Sequence, residues 1–206
     1  MKFKSILIAL VVTLGTSLAH ANVISNGSPT SPSKRCITGP NSCGGSGTWT
    51  VYDQFTTDSA VTVTGFANWN AMTRGVYSVT NWSIWSSTPM ANSRLPLASG
   101  SSIAAFSITA GHTLASIDGL SVKLAAGSYW LGINHQLLGN GYWEYFASDN
   151  GQSNAMQHDG ASRAFYDRPD MAFTVTTAVP EPETYAMLLA GLAFVGFAAR
   201  RKAKLA

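Results

Sequence analysis

The sequence predicts an all-β protein. The expected architecture is a two-sheet antiparallel sandwich, jelly-roll-like, preceded by a signal peptide and followed by a single C-terminal membrane helix. Three observations lead there. Residues 48–178 fall into short β-branched and aromatic runs, several alternating with period two, as in Val61, Val63, Gly65 and Tyr129, Leu131, Ile133. Clusters of Gly, Asn, Asp and Pro separate the runs. No long amphipathic helical pattern lies between the two chain ends, and no internal repeat is visible.

The first element is a leader. Lys2 and Lys4 form a positive segment, Ile6 to Leu14 an apolar one, and Ala19-His20-Ala21 supplies the small residues of a signal-peptidase site. Cleavage is expected after Ala21, so that domain 1–21 is lost and the mature chain begins at Asn22. An uncleaved N-terminal anchor is the competing reading.

Residues 22–47 read as an irregular Gly/Pro/Ser-rich lead-in carrying both cysteines of the chain, Cys36 and Cys43. In an oxidising compartment these are expected to pair as a disulfide. The loop is small, so the gain is at most roughly 3 kcal/mol. A two-ligand metal site and free thiols are the alternatives. The absence of a nearby His disfavours zinc.

The sandwich is assigned to residues 48–178. Its expected strands are Thr48 to Phe55, Ala60 to Ala67, Tyr77 to Trp85, Ser102 to Ile108, Leu120 to Leu124, Ser128 to Asn134, Tyr142 to Ala147 and Met171 to Thr177. Turns are expected at Ser87 to Pro96, Ala126-Gly127, Leu138 to Gly141 and Asp149 to Gly151. An up-and-down barrel is the competing closure of the same strands.

The tail, residues 179–206, has three parts. Pro180 and Pro182 lock φ and remove backbone donors, so Val-Pro-Glu-Pro-Glu stays extended and open to a processing enzyme. Tyr185 to Ala199 carries no charge and makes a helix of roughly 22 Å at about 1.5 Å per residue. Snorkelling by Arg200 and Arg201 and local thinning extend its reach across a bilayer. Arg200, Arg201 and Lys202 form the cytoplasmic stop. A buried C-terminal helix of a soluble domain is the alternative.

Pro180-Glu181-Pro182, the apolar span and Arg200-Arg201, in that order, resemble the PEP-CTERM sorting signal of Gram-negative bacteria that make exopolysaccharide. The resemblance implies recognition and cleavage near Pro180 to Pro182 by exosortase, an integral-membrane processing enzyme. It implies export, transient anchoring in the inner membrane, and delivery to the cell surface or extracellular matrix. It implies no reaction. The body phrases YDQFTTDSAVTVTGFANW, VTNWSIWSS, LAAGSYWLGINH and DMAFTVTT also resemble β-sandwich bodies found ahead of such tails.

Charge excludes one partner class. The formal net charge is +3, but six of the thirteen Lys and Arg lie in the leader and tail. The body keeps seven against eight Asp and Glu, so it is near neutral and nucleic acid is not an expected partner. Membrane lipid, through the tail helix, and exopolysaccharide are.

No nucleophile elbow, zinc helix, phosphate loop or dinucleotide fingerprint is present, and the chain is expected not to be an enzyme. No catalytic residue, metal or cofactor is assigned. His112, His135 and His158 are read as structural. Asp149, Asp159, Asp167 and Asp170 are read as turn or capping groups, with calcium as the alternative. Glu144 is the only Glu of the body and has no evident carboxylate partner for glycoside hydrolysis. The aromatic surplus is the remaining candidate. Six Trp crowd the body, and Trp85, Trp130 and Trp143 are the expected sugar-stacking residues if rings stand open to solvent. The reading is a non-enzymatic surface or matrix protein of structural or adhesive role, with a carbohydrate-binding module as the alternative and a polysaccharide-active enzyme after that.

Overall fold

The computed structural model describes residues 21–37, 48–72, 76–89, 95–109, 112–138, 143–160, 164–178 and 190–192. The compact body runs from Ala21 to Val179. Thirteen strands lie among its described residues, and they form two open antiparallel sheets rather than a closed barrel.

The first sheet is organised by one long strand, β4 (Val61–Met72). Along one edge it pairs with β8 (His112–Leu124), and β7 (Ala105–Thr109) follows as the outer strand. Its other edge is shared. β13 (Phe173–Ala178) takes Thr62 to Asn68, with β1 (Ala21–Ser25) beyond it. β10 (Trp143–Ser148) takes Asn70 to Met72, with β2 (Pro29–Cys36) beyond it.

The second sheet runs β12 (Ala164–Arg168), β11 (Ala155–His158), β3 (Thr50–Thr57), β9 (Gly127–Leu138), β5 (Val76–Trp85), β6 (Ala98–Ser102).

Side-chain alternation builds the core between them. β3 buries Val51, Asp53, Phe55 and Thr57, and β13 buries Phe173, Val175 and Thr177. β9 contributes Tyr129, Leu131 and Ile133, and β5 contributes Ile84. Each fully buried aliphatic side chain stabilises by roughly 1.5–3 kcal/mol.

A bulge at Thr64 changes which residues of β4 face inward. Pairing with β13 jumps from Thr177↔Val63 to Thr176↔Gly65, and pairing with β8 shifts at the same point. Before it Val61 and Val63 are buried; after it Phe66, Asn68 and Asn70 are. Gly65 sits where a Cβ would lie 2.5 Å from the Ile117 carbonyl oxygen, so no larger residue fits. An isolated Gly in a strand pattern signals this device.

Residues expected to be irregular are partly strands. β1 and β2 occupy much of 21–36, within the lead-in. Their sequences carry little β propensity, but β1 completes the β13 edge and β2 the β10 edge. Pro29 and Pro32 are tolerated because β2 is an edge strand with shifted register. Likewise β6 and β11 lie in segments of Ser, Gly, Gln and His that local patterning passes over, and the short β12, AFYDR, is also missed. Residues 190–192 are helical and exposed. Among the described residues no helix is long and apolar enough to cross a membrane.

Candidate functional site

The sorting triplet Pro180, Glu181 and Pro182, the stop Arg200, Arg201 and Lys202, most of 185–199, Ala19 and Cys43 lie outside the described residues. Ala21 opens β1 opposite Ala178, so the expected mature residue Asn22 pairs with Thr177. The two ends of the body are therefore neighbouring strands. Cys36 is buried at the end of β2.

The three indoles expected to stack on sugar divide differently from the expectation. Trp143 is 1% exposed and packed against Phe106 and His135, and Trp130 is 8% exposed. Neither offers an open ring face, so both are corrected to packing roles. For Trp143 the cause is parity, since it points inward from β10. Trp130 points outward but is covered. Trp85 stays partly exposed, paired across the strands with Trp130 and edge-on to Tyr52 with ring centroids 6.2 Å apart.

The concave feature beside Trp85 is a cleft of about 280 Å³ on the outer face of the second sheet. Strand register explains its shape. One cross-strand row places Asn134 of β9 opposite Asn81 of β5, and Asn81 opposite Ser101 of β6. The next row places Tyr52 of β3 opposite Gly132 of β9, Gly132 opposite Ser83, and Ser83 opposite Ser99. Gly132 makes room for its neighbours to fold over β9. A Cβ there would lie 2.5 Å from both Ser83 Oγ and Tyr52 Cε1, which lean over the strand from either side. Trp82 also borders the cleft, but its indole packs inward on Phe66.

Hydrogen bonds fix the polar walls. The Ser101 hydroxyl donates to Asn81 Oδ1 at 2.6 Å, Asn81 Nδ2 donates to Asn134 Oδ1 at 3.4 Å, and Asn134 Nδ2 donates to the Trp49 carbonyl at 2.8 Å. Trp85 Nε1 donates to Ser83 Oγ at 2.9 Å. Burial pushes the Tyr52 phenol above its ordinary pKa, with a bond to Thr50 opposing, so it stays a neutral donor. None of the described lining residues is charged. Sequence reading missed this set because its members share a face only through long-range pairing. Outward period-two positions were legible; their register was not.

His135 and Asp53 are buried titratable groups between the sheets. His135 is fully buried, with Nδ1 2.8 Å from Thr80 Oγ1 and Nε2 3.3 Å from Asn68 Nδ2. Burial drops its pKa to about 3, so the ring is neutral. Asp53 is held up well above the usual carboxylate range, chiefly by burial and then by the Asp170 charge. It accepts from Gln54 N, Asn26 Nδ2 and Met171 N.

Four other titratable residues have local partners. Asp170 accepts backbone N–H groups of Gln152, Asn154 and Ala155, and Asp149 accepts that of Ser28. Both are loop-capping arrangements. His112 packs on Phe146, and His158 Nδ1 accepts the Gly160 N–H. Among the described residues no group of three or more His, Cys, Asp or Glu could hold a metal ion.

No curated protein matches the chain. A family model for the PEP-CTERM protein-sorting motif matches residues 178–202, beginning where β13 ends. The chain thus carries a PEP-CTERM protein-sorting motif, the signal read by exosortase for delivery toward the cell surface, directly after a β-rich body.

Proposed function

We propose that this is a non-enzymatic surface or matrix protein, structural or adhesive in role, working among exopolysaccharide outside a Gram-negative cell. The sorting motif at 178–202 is the observation that carries the reading. On this account signal peptidase removes residues 1–21. The body then folds outside the cytoplasm and Cys36 pairs with Cys43. The 185–199 helix holds the chain in the inner membrane, with Arg200, Arg201 and Lys202 inside. Exosortase then cuts near Pro180 to Pro182.

Glu181→Ala tests the sorting step. The variant is expected to insert in the membrane and remain there uncut, seen by immunoblot of fractionated cells. Processing at the normal rate would sink the motif reading.

A second reading, a carbohydrate-binding module, is favoured by the cleft beside Tyr52 and Trp85. Among the described residues the cleft lining holds no carboxylate and no His, which supports contact rather than turnover at that place, since general acid–base hydrolysis needs such groups.

A further inference from the structure

We infer that the outer-face cleft around Gly132 is a binding site for one neutral sugar ring of a glycan. The inference rests on reading the body as a domain that meets polysaccharide, and it names the residues and the ligand class.

Four features select that ligand. The walls are hydroxyls, amides and a phenol with no charged side chain among the described residues, so an anionic or cationic ligand would be desolvated there without a partner. The volume of about 280 Å³ lies just under the roughly 300–1,000 Å³ of drug-sized ligand pockets, which suits one ring. The amide row is already chained from Ser101 through Asn81 and Asn134 to the Trp49 carbonyl. Its groups are therefore held in place before a ligand arrives, which lowers the ordering cost of binding. Asn134 is buried and holds Asn81 from behind, while half-buried Asn81 keeps a second Nδ2 hydrogen and a second Oδ1 lone pair, a donor and an acceptor side by side that match adjacent sugar hydroxyls. Lastly, the Tyr52 ring lines the cleft, with Trp85 edge-on to it from outside the lining. A sugar ring has an apolar C–H face and a hydroxyl edge. The Tyr52 ring meets the first and the amide row the second.

The arrangement also specifies how the ligand is oriented. Ser83 Oγ accepts the Trp85 N–H, which leaves its own O–H to donate toward the cleft. Gly132 lets the Tyr52 ring and Ser83 close over β9, so the ligand meets these side chains rather than bare backbone. β6 is the outer strand on that side, so the rest of a glycan chain can leave over the edge.

The test is affinity electrophoresis of the full chain through gels containing a neutral β-glucan, a neutral galactomannan, or anionic polygalacturonate. Retardation is expected in at least one neutral gel. Asn81→Ala is expected to weaken it about tenfold, the loss of a wall hydrogen bond in a desolvated site. Ser101 and Ser99 are exposed on β6, so their replacement leaves the core alone. Ser101→Ala is expected to weaken binding severalfold, and Ser99→Tyr, which fills the cleft, to abolish it. Thermal melts verify that each variant is folded. No retardation in any neutral gel, retardation only in polygalacturonate, or equal retardation of wild type and Ser99→Tyr each overturns the inference. Those outcomes leave the sorting reading standing, because processing of Glu181→Ala is scored in cells and does not depend on glycan binding.

Discussion

Acid should loosen the sandwich through one histidine. His135 lies wholly between the sheets, in contact with Thr80, Asn68 and Trp143. Its pKa falls from 6.5 unfolded to about 3 folded. A depressed histidine pKa means the unfolded chain binds the proton more readily, so stability falls as pH drops below 6.5 and the loss is complete near pH 3. The shift converts to about 5 kcal/mol in full and to about 2 kcal/mol by pH 5. That is a large share of the roughly 5–15 kcal/mol of a typical domain. Asp53 acts in the opposite sense. Its raised pKa means protonation favours the fold, which offsets part of the loss as pH falls. The histidine contribution is therefore read as a difference. Urea unfolding of wild type and His135→Gln at pH 7.5 and pH 5 isolates it, because Gln keeps a donor and an acceptor but does not titrate there. The variant is expected to be less stable at pH 7.5 and to close the gap by about 2 kcal/mol at pH 5. Parallel losses in the two proteins would refute the assignment.

Two further outcomes follow. Gly65→Ala should cost roughly 1–3 kcal/mol in urea unfolding, because its methyl meets the Ile117 carbonyl and the β4 bulge cannot open without disturbing β8; an unchanged midpoint would contradict the close approach. The surface-exported chain should keep its mass on alkylation without reductant, and reduction should lower stability by at most roughly 3 kcal/mol, because Cys36 and Cys43 enclose a short loop; an alkylated mass without reductant would contradict the pairing.

Legibility in the sequence tracked how local each signal was. Val51 to Phe55, Tyr129 to Ile133 and Phe173 to Val175 announced their strands because apolar residues alternate in place. β2 did not, since Pro29 and Pro32 read as breakers and only the edge beside β10 makes a strand of them. The bulge left a trace in Gly65, yet its consequence, Asn68 and Asn70 turned inward beside His135, needed the paired register. The same limit applied to the site. An excess of Trp was visible, but alternation alone could not tell Trp143, packed in the core, from Trp85, half open beside the cleft. Tyr52, Asn81 and Asn134 are ordinary strand residues until three strands are laid side by side. The sorting motif, by contrast, is a linear signal and was readable without any fold.

The central claim is that the sandwich works outside the cell after losing both terminal segments. Intact-mass and terminal-peptide spectrometry of the protein recovered from the cell surface or medium tests it most directly. A species beginning at Asn22 and ending near Pro180 to Pro182 is the predicted result. A chain retaining residues 1–206 in the cytosol would contradict the account.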